Sequence, residues 1–251
     1  MRVKEIITIL DEIAPFDTAE PWDNVGLLVG DPAREIQAVV VALDPCFEAI
    51  SYAKEKGAGC IVTHHPLFFH PTRSLNLEDA TARKVRLLMC WEISLVSMHT
   101  NLDIARDGVA DVLACALRLS QVKDHGLMRT GMLDEKIALS AWIKTLPFAN
   151  IRFVDAQRMV HKVGVCPGSG MDMWREAYAC GCDTFVTGDV RYHSAQEAGE
   201  AGINIIDLGH YGTEEIMVKP LMKRLQRQLP GIYIHAYECR DIFTYTKESE
   251  D

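Results

Sequence analysis

At 251 residues and 48% hydrophobic composition, the chain can bury one large core or two ordinary ones without covalent staples. Its formal charge of −9 argues against a nucleic-acid backbone as partner. Charges within the first fifteen residues interrupt any signal-peptide core, and no stretch approaches the roughly 18 apolar residues of a bilayer crossing.

Val3, Ile6, Ile7, Leu10, Ile13 and Ala14 recur at helical spacing, and Pro15 closes the pattern. EPWDNVGLLVGD (20–31) reads as a turn, a short strand over 25–29 and a second turn at Gly30. The valine-rich IQAVVVALD (36–44) is too short for a helix and predicts an interior strand ending at Asp44. PCFEAISYAKEKGA is a helix stopped at Gly57, and GCIVTHH is the next strand. This is the β-α-β rhythm of a largely parallel sheet. After the loop PLFFHPTRSLN come a helix over about 78–91, the strand ISLVSMHTNLD and a helix over about 107–118. The middle of the chain offers short strands at 137–143, 150–154 and 160–166. Beyond CPGSGMD the rhythm returns with helix 171–180, strand TFVTGD, helix 193–200, strand INIIDLGH, helix 213–229 and strand IYIHAY. The tail CRDIFTYTKESED ends in charges and is expected to fray.

The eight cysteines contain no CxxC spacing, so neither a disulfide framework nor a thiolate zinc knot is indicated, and Cys60 and Cys182 lack a nucleophilic setting. A reducing cytoplasm is the expected compartment. The four tryptophans are scattered and read as packing residues.

Two segments resemble each other. With Thr63 laid on Thr187, AKEKGAGCIVTHHPLF matches AYACGCDTFVTGDVRY, and a second offset lays ISLVSMHTNLD on NIIDLGHYGTE, superposing His99 on His210 and Asp103 on Glu214. The match predicts two similar α/β halves by internal duplication, 1–125 and 126–251.

The chemistry-bearing residues fall just beyond predicted strand ends, where open α/β sheets place their ligand crevices. His64 and His65 follow GCIV, His99 and Asp103 follow ISLVSM, and His210 and Glu214 follow INIIDLG. Adjacent histidines on an extended backbone diverge, so one packing pocket does not satisfy both. His64, His65, Asp103, His210 and Glu214 together exceed what one tetrahedral ion needs if water also binds. They read as ligands of two divalent ions, with Glu214 as the preferred bridge and Asp103 as the other option. Imidazole with carboxylate suits zinc, iron, manganese, cobalt or nickel. His99 reads as a residue behind the ligands or a proton-transfer group. The commoner roles are a helix-surface pair for His210 and Glu214, and a helix cap for Asp103.

Around this set, Asp44 either hydrogen-bonds a ligand histidine or caps the helix after Pro45. TGDVRYH places Asp189, Arg191 and His193 where substrate contacts are expected, with His193 able to move a proton; a cap at Asp189 and an exposed Arg191 are the alternative. CPGSGMD reads as an anion cradle or simply a tight turn.

PWDNVGLLVGD, VTHHPLFF, HTNLD, VGVCPGSG, TGDVRYH and GHYGTEE, in that order, resemble the Nif-three-like family of dinuclear-metal proteins, whose bacterial members are labelled GTP cyclohydrolase I type 2 homologs. The resemblance runs from about residue 3 to 245. It implies metal binding by His64, His65, Asp103, His210 and Glu214, and a three-layer α/β/α fold with mixed sheets and two similar halves. It also implies a toroidal homohexamer; some relatives carry an inserted middle domain, and the distance from His99 to His210 leaves no room for one here. The label implies opening of a guanine nucleotide at C8 by hydroxide that the metals activate. The broader expectation is a metal-dependent hydrolase of a nucleotide or another small polar compound; the alternative is a non-catalytic metal-binding regulatory or chaperone-like protein.

Overall fold

The computed structural model describes residues 1–245, and the last six residues of the tail expected to fray lie outside the described residues. The chain is mixed α/β, with two mixed sheets lying in two compact units. The first unit comprises Met1–Val109 and Glu215–Cys239, the second Ala110–Glu214 and Arg240–Asp251. No helix among the described residues is long and apolar enough to cross a membrane.

In the first unit, helix α1 (Val3–Ile13) buries Val3, Ile6, Leu10 and Ile13 along one stripe, as their spacing predicts. Strands β1 (Gly26–Val29) and β2 (Ala38–Ala42) follow, then helix α2 (Phe47–Glu55), strand β3 (Cys60–Thr63), helix α3 (Ala80–Cys90), strand β4 (Ser94–Ser97) and the short helix α4 (Thr100–Ile104). β2, β3 and β4 are parallel neighbours, and β1 runs antiparallel on the far side of β4. Every residue of β2 is buried, which explains its unbroken valine run: both faces of this strand are covered. Val40, Ile61 and Leu95 pack with Ile50 of α2 and Leu88 of α3. Each such burial contributes roughly 1.5–3 kcal/mol.

Helix α5 (Val109–Ala116) leads into the second unit, where β5 (Ser120–His125) and β6 (Met128–Ile137) form a hairpin. Helix α6 (Leu139–Ile143) and strands β7 (Arg152–Val154) and β8 (Val160–Val165) come next. They precede helix α7 (Trp174–Ala179), strand β9 (Thr184–Thr187), helix α8 (Tyr192–Glu200), strand β10 (Asn204–Asp207) and helix α9 (His210–Glu214). β8, β9 and β10 are parallel neighbours, with β7 antiparallel on the far side of β10 and the hairpin beyond β8. Phe185, Ile205, Trp174 and Met128 form its core.

The two sheets share a strand pattern. β1, β2, β3 and β4 have the same chain order, neighbours and directions as β7, β8, β9 and β10. The amide of Met98 donates to the Thr63 carbonyl as that of Leu208 does to Thr187. Thr63 therefore corresponds to Thr187, as read from the sequence, but His99 falls opposite Gly209 and not His210. The sequence alignment of these loops is one residue out of register, because it is drawn to His99 and His210, and the hydrogen bonds that set the true register leave no mark in the sequence.

Three further expectations are corrected. Residues 137–143 are not a strand: Ile137 ends β6, and Leu139 and Trp142, three apart and both buried, belong to α6. The helix expected over 213–229 is broken by a 3₁₀ turn at Glu215–Met217, after which α10 (Val218–Gln228) carries Pro220 in its first turn, where no intrahelical N–H is needed. Residues 215–239, expected with the second half, belong to the first unit, because β11 (Tyr233–Ala236) pairs in parallel with β2.

Candidate metal centre

In the first unit, sheet hydrogen bonding continues past the strand ends and fixes the two histidines. The amides of His64 and His65 donate to the carbonyls of Ala42 and Leu43 at 3.2 and 3.0 Å. Their rings then take partners on opposite flanks. His64 Nδ1 lies 2.9 Å from the Met98 carbonyl beyond β4, and His65 Nδ1 lies 2.7 Å from Asp44 Oδ1 beyond β2. A carbonyl oxygen only accepts, so His64 Nδ1 carries the proton, and in the neutral ring Nε2 is left with a lone pair. His64 Nε2 lies 3.6 Å from Asp103 Oδ1. That exceeds a hydrogen bond and approaches the roughly 3.4 Å between two donors at tetrahedral angles on a first-row ion.

His99 caps α4, and its Nδ1 lies 2.9 Å from Asp23 Oδ1. Asp23 Oδ2 accepts from the amide of Thr100 at 3.0 Å and from its hydroxyl at 2.5 Å. Burial opposes ionisation of Asp23, but hydrogen bonds from His99 and Thr100 outweigh it and hold the carboxyl well below the usual carboxylate range. One donor nitrogen each from His64, His65 and His99 lies within 4.8 Å of the others, a group able to hold a metal ion.

The Asp23 network has a pH signature. Its folded value lies below the unfolded one of about 3.9, so its stabilisation is present above about pH 4 and is lost as pH falls toward the folded value. Asp23→Asn is expected to cost about 1–3 kcal/mol at neutral pH. Urea unfolding from neutral pH downward should show that gap closing below about pH 4; a gap independent of pH contradicts the assignment.

In the second unit, His210 opens α9 with Nδ1 2.7 Å from Asp189 Oδ2, and its Nε2 lies 3.1 Å from Glu214 Oε2 one turn later. Glu214 is buried and His210 is partly exposed. Gly168 makes room for this pair: a Cβ there would lie 2.1 Å from Glu214 Oε1, and its φ of +60° already favours glycine. Its amide donates to Thr213 Oγ1 at 2.9 Å, and its carbonyl accepts from the amide of Gly188 at 2.9 Å. Of the two readings of CPGSGMD, Gly168 follows the tight turn: its amide is committed within the fold and its missing side chain admits a carboxylate.

The two groups of expected ligands thus lie in different units: His64, His65 and Asp103 in the first, His210 and Glu214 in the second. Asp44 holds a histidine, as one of its two readings had it. Asp189, read from the sequence as a substrate contact or a helix cap, lies with Oδ2 2.7 Å from His210 Nδ1 and has a φ of +49°. Arg191 lies exposed against Asp172 at 3.2 Å, and His193 is exposed at the start of α8 with its ring edge on Tyr192. Trp142 and Trp174 are packing residues, but Trp22 is 59% exposed and stands edge-on to His99, with Phe69 beside both rings. The sequence reading missed Asp23 and this aromatic group; the one cue was the placing of Trp22 and Asp23 together in PWDN.

The profile of the family Duf34/NIF3 (NGG1p interacting factor 3) matches residues 1–241. A Clostridium perfringens protein called GTP cyclohydrolase 1 type 2 homolog is 31% identical, over 98% of this chain and 100% of its own. The crystal structure of Staphylococcus aureus protein SA1388 superposes with a TM-score of 0.91 at 29% identity, covering 98% of this chain and 99% of that one. Reduced HcgD from Methanocaldococcus jannaschii gives 0.83 at 33% identity, over 94% and 97%.

Proposed function

We propose that this chain, which belongs to the Duf34/NIF3 family, is a metal-dependent hydrolase of a nucleotide or similar small polar substrate. His64, His65 and Asp103 of the first unit, and His210 and Glu214 of the second, are the residues that would hold divalent ions, two per chain. The observation that carries this reading is the shared orientation of the histidines. His64, His65 and His210 each give Nδ1 to a carbonyl or carboxylate oxygen, at 2.7–2.9 Å, which leaves Nε2 as the electron-pair donor. Carboxylate-backed imidazole of this kind is the usual outer support of a metal ligand.

Divalent ions bound here would supply Lewis acidity and lower the pKa of water toward neutrality. The chain's own residues divide the remaining work. Asp44, Asp189 and the Met98 carbonyl lock the ring tautomers. Glu214 and Asp103 would supply the carboxylate oxygens. His99, held through Nδ1 by Asp23, keeps Nε2 to take up or release a proton, and His193 is the second proton carrier. Trp22 and Phe69 offer exposed rings beside His99, suited to a flat heterocycle. Together with the relatives' name, these rings favour a guanine nucleotide opened at C8. The assembly proposed with this activity is a cytoplasmic homohexamer.

The test is metal content followed by turnover. The purified chain is expected to hold about two equivalents of divalent metal, with His65→Ala and Glu214→Gln each losing most of it. Loaded with zinc, iron, manganese, cobalt or nickel, it is expected to hydrolyse at least one member of a panel of nucleotides and phosphoesters. Metal retained equally by both variants sinks the site. Metal bound without turnover replaces the hydrolase with a metal-binding regulatory or chaperone-like protein.

A further inference from the structure

Two thiols meet in the first unit, outside the ligand set. Cys46 is the N-cap of the nine-residue helix α2, and its Sγ accepts from the Ala49 amide at 3.3 Å. Cys239 follows β11. The Tyr237 amide donates to the Val41 carbonyl at 2.8 Å, which carries this segment along the end of β2, and the Cys239 amide donates to Glu215 Oε1 at 3.1 Å. The Cys239 thiol thereby reaches Cys46 and donates a hydrogen bond to it, while the Asp44 backbone amide donates to the Cys239 sulfur. Cys46 is half-buried and Cys239 buried, so one sulfur of the pair meets solvent and the other waits behind it.

We propose that Cys46 and Cys239 form a reversible disulfide, made by hydrogen peroxide and broken by a dithiol. The hydrogen bond from Cys239 pulls the Cys46 thiol down to about 7; burial opposes this and the Ala49 amide adds to it. Cys239, the donor in that bond and itself buried, is pushed far up. The order of events follows from exposure: Cys46 is half-buried and Cys239 buried, so an oxidant in solvent meets Cys46 first. Cys46 thiolate attacks the peroxide: an S–O bond forms, the O–O bond breaks, hydroxide leaves and is protonated to water, and the sulfur is oxidised by two electrons. Cys239 then attacks that sulfur: the S–S bond forms, the S–O bond breaks, and the Cys239 proton departs with the second water. Cys60 and Cys182 do not compete, because burial pushes both thiols up to about 12. A disulfide brings the sulfurs to about 2.05 Å, closer than a hydrogen bond holds them.

The full-length chain is to be treated with equimolar hydrogen peroxide, alkylated and mapped by mass spectrometry. A Cys46–Cys239 cross-linked peptide is expected, reversed by dithiothreitol. Cys239→Ser should stop at a sulfenic acid on Cys46 that dimedone traps, and Cys46→Ser, whose hydroxyl can still cap α2, should leave Cys239 reduced. Circular dichroism confirms that both serine variants are folded. Oxidation that reaches exposed Cys90 or Cys115 before Cys46 overturns the proposal. So does a wild-type Cys46 that proceeds to sulfinic acid while Cys239 remains reduced.

Discussion

Substituting alanine for Gly168 should displace the Glu214 carboxylate and remove most bound metal, although residue 168 is itself no ligand. The added methyl would stand 2.1 Å from Glu214 Oε1 and 3.5 Å from His210 Cε1, so the carboxylate must leave its place. The left-handed backbone adds a cost of about 1–2 kcal/mol for any residue with a Cβ, and overpacking adds about 1–3 kcal/mol. The sum, about 2–5 kcal/mol, should lower the melting temperature by roughly 5–15 °C. Metal affinity should fall by more than the roughly 10–100-fold typical of losing an outer hydrogen-bond partner. Gly126→Ala separates the two causes. Gly126 has a φ of +72° with nothing within 4 Å of its absent Cβ, so that variant carries the backbone cost alone and should keep its metal. Equal metal loss in both variants would show that backbone strain, and not the contact with Glu214, empties the site.

The second large effect is expected one layer behind the ligands. Asp44→Ala removes the acceptor at His65 Nδ1, which releases the ring to rotate and to change tautomer. Metal affinity is expected to drop about 10–100-fold with little change in fold stability, because Asp44 is partly exposed. At Asp189 the informative change is asparagine, which tolerates the φ of +49° and still accepts a hydrogen bond from His210, but no longer as an anion. Its affinity should lie between that of the wild type and that of Asp44→Ala. Competition with a chromophoric chelator measures both. Wild-type affinity in Asp44→Ala would mean that His65 is oriented by something other than this carboxylate.

These side chains differ in how far the sequence exposes them. The paired histidines were legible because an apolar run fit for an interior strand ends in two imidazoles, and period-two geometry denies them one pocket. His210 and Glu214 were legible because a spacing of four places both on one helical face. Asp23 was not: it meets His99 across 76 residues of chain, and a lone aspartate in a turn looks the same whether it closes the turn or holds a distant ring. The hairpin of β5 and β6 escaped for a different reason. β5 is largely exposed, and buried Arg129 of β6 is held by Asp111 at 2.5 Å and Asp124 at 2.8 Å, so apolar alternation, the usual signal of a strand, is weak there. Asp189 meets His210 across 21 residues of chain, a pairing that residue type alone does not reveal.

The return of β11 to β2 has a consequence during synthesis. A ribosome has released every strand of the second sheet before residues 233–236 emerge, yet the first sheet still lacks one of its strands. Until then the valine run 38–42 offers a row of unmatched amides and carbonyls on one side, the kind of edge that recruits strands from neighbouring nascent chains. The first sheet is thus the last to be sealed, and slow translation of the segment leading to residues 233–236 would lengthen its exposure.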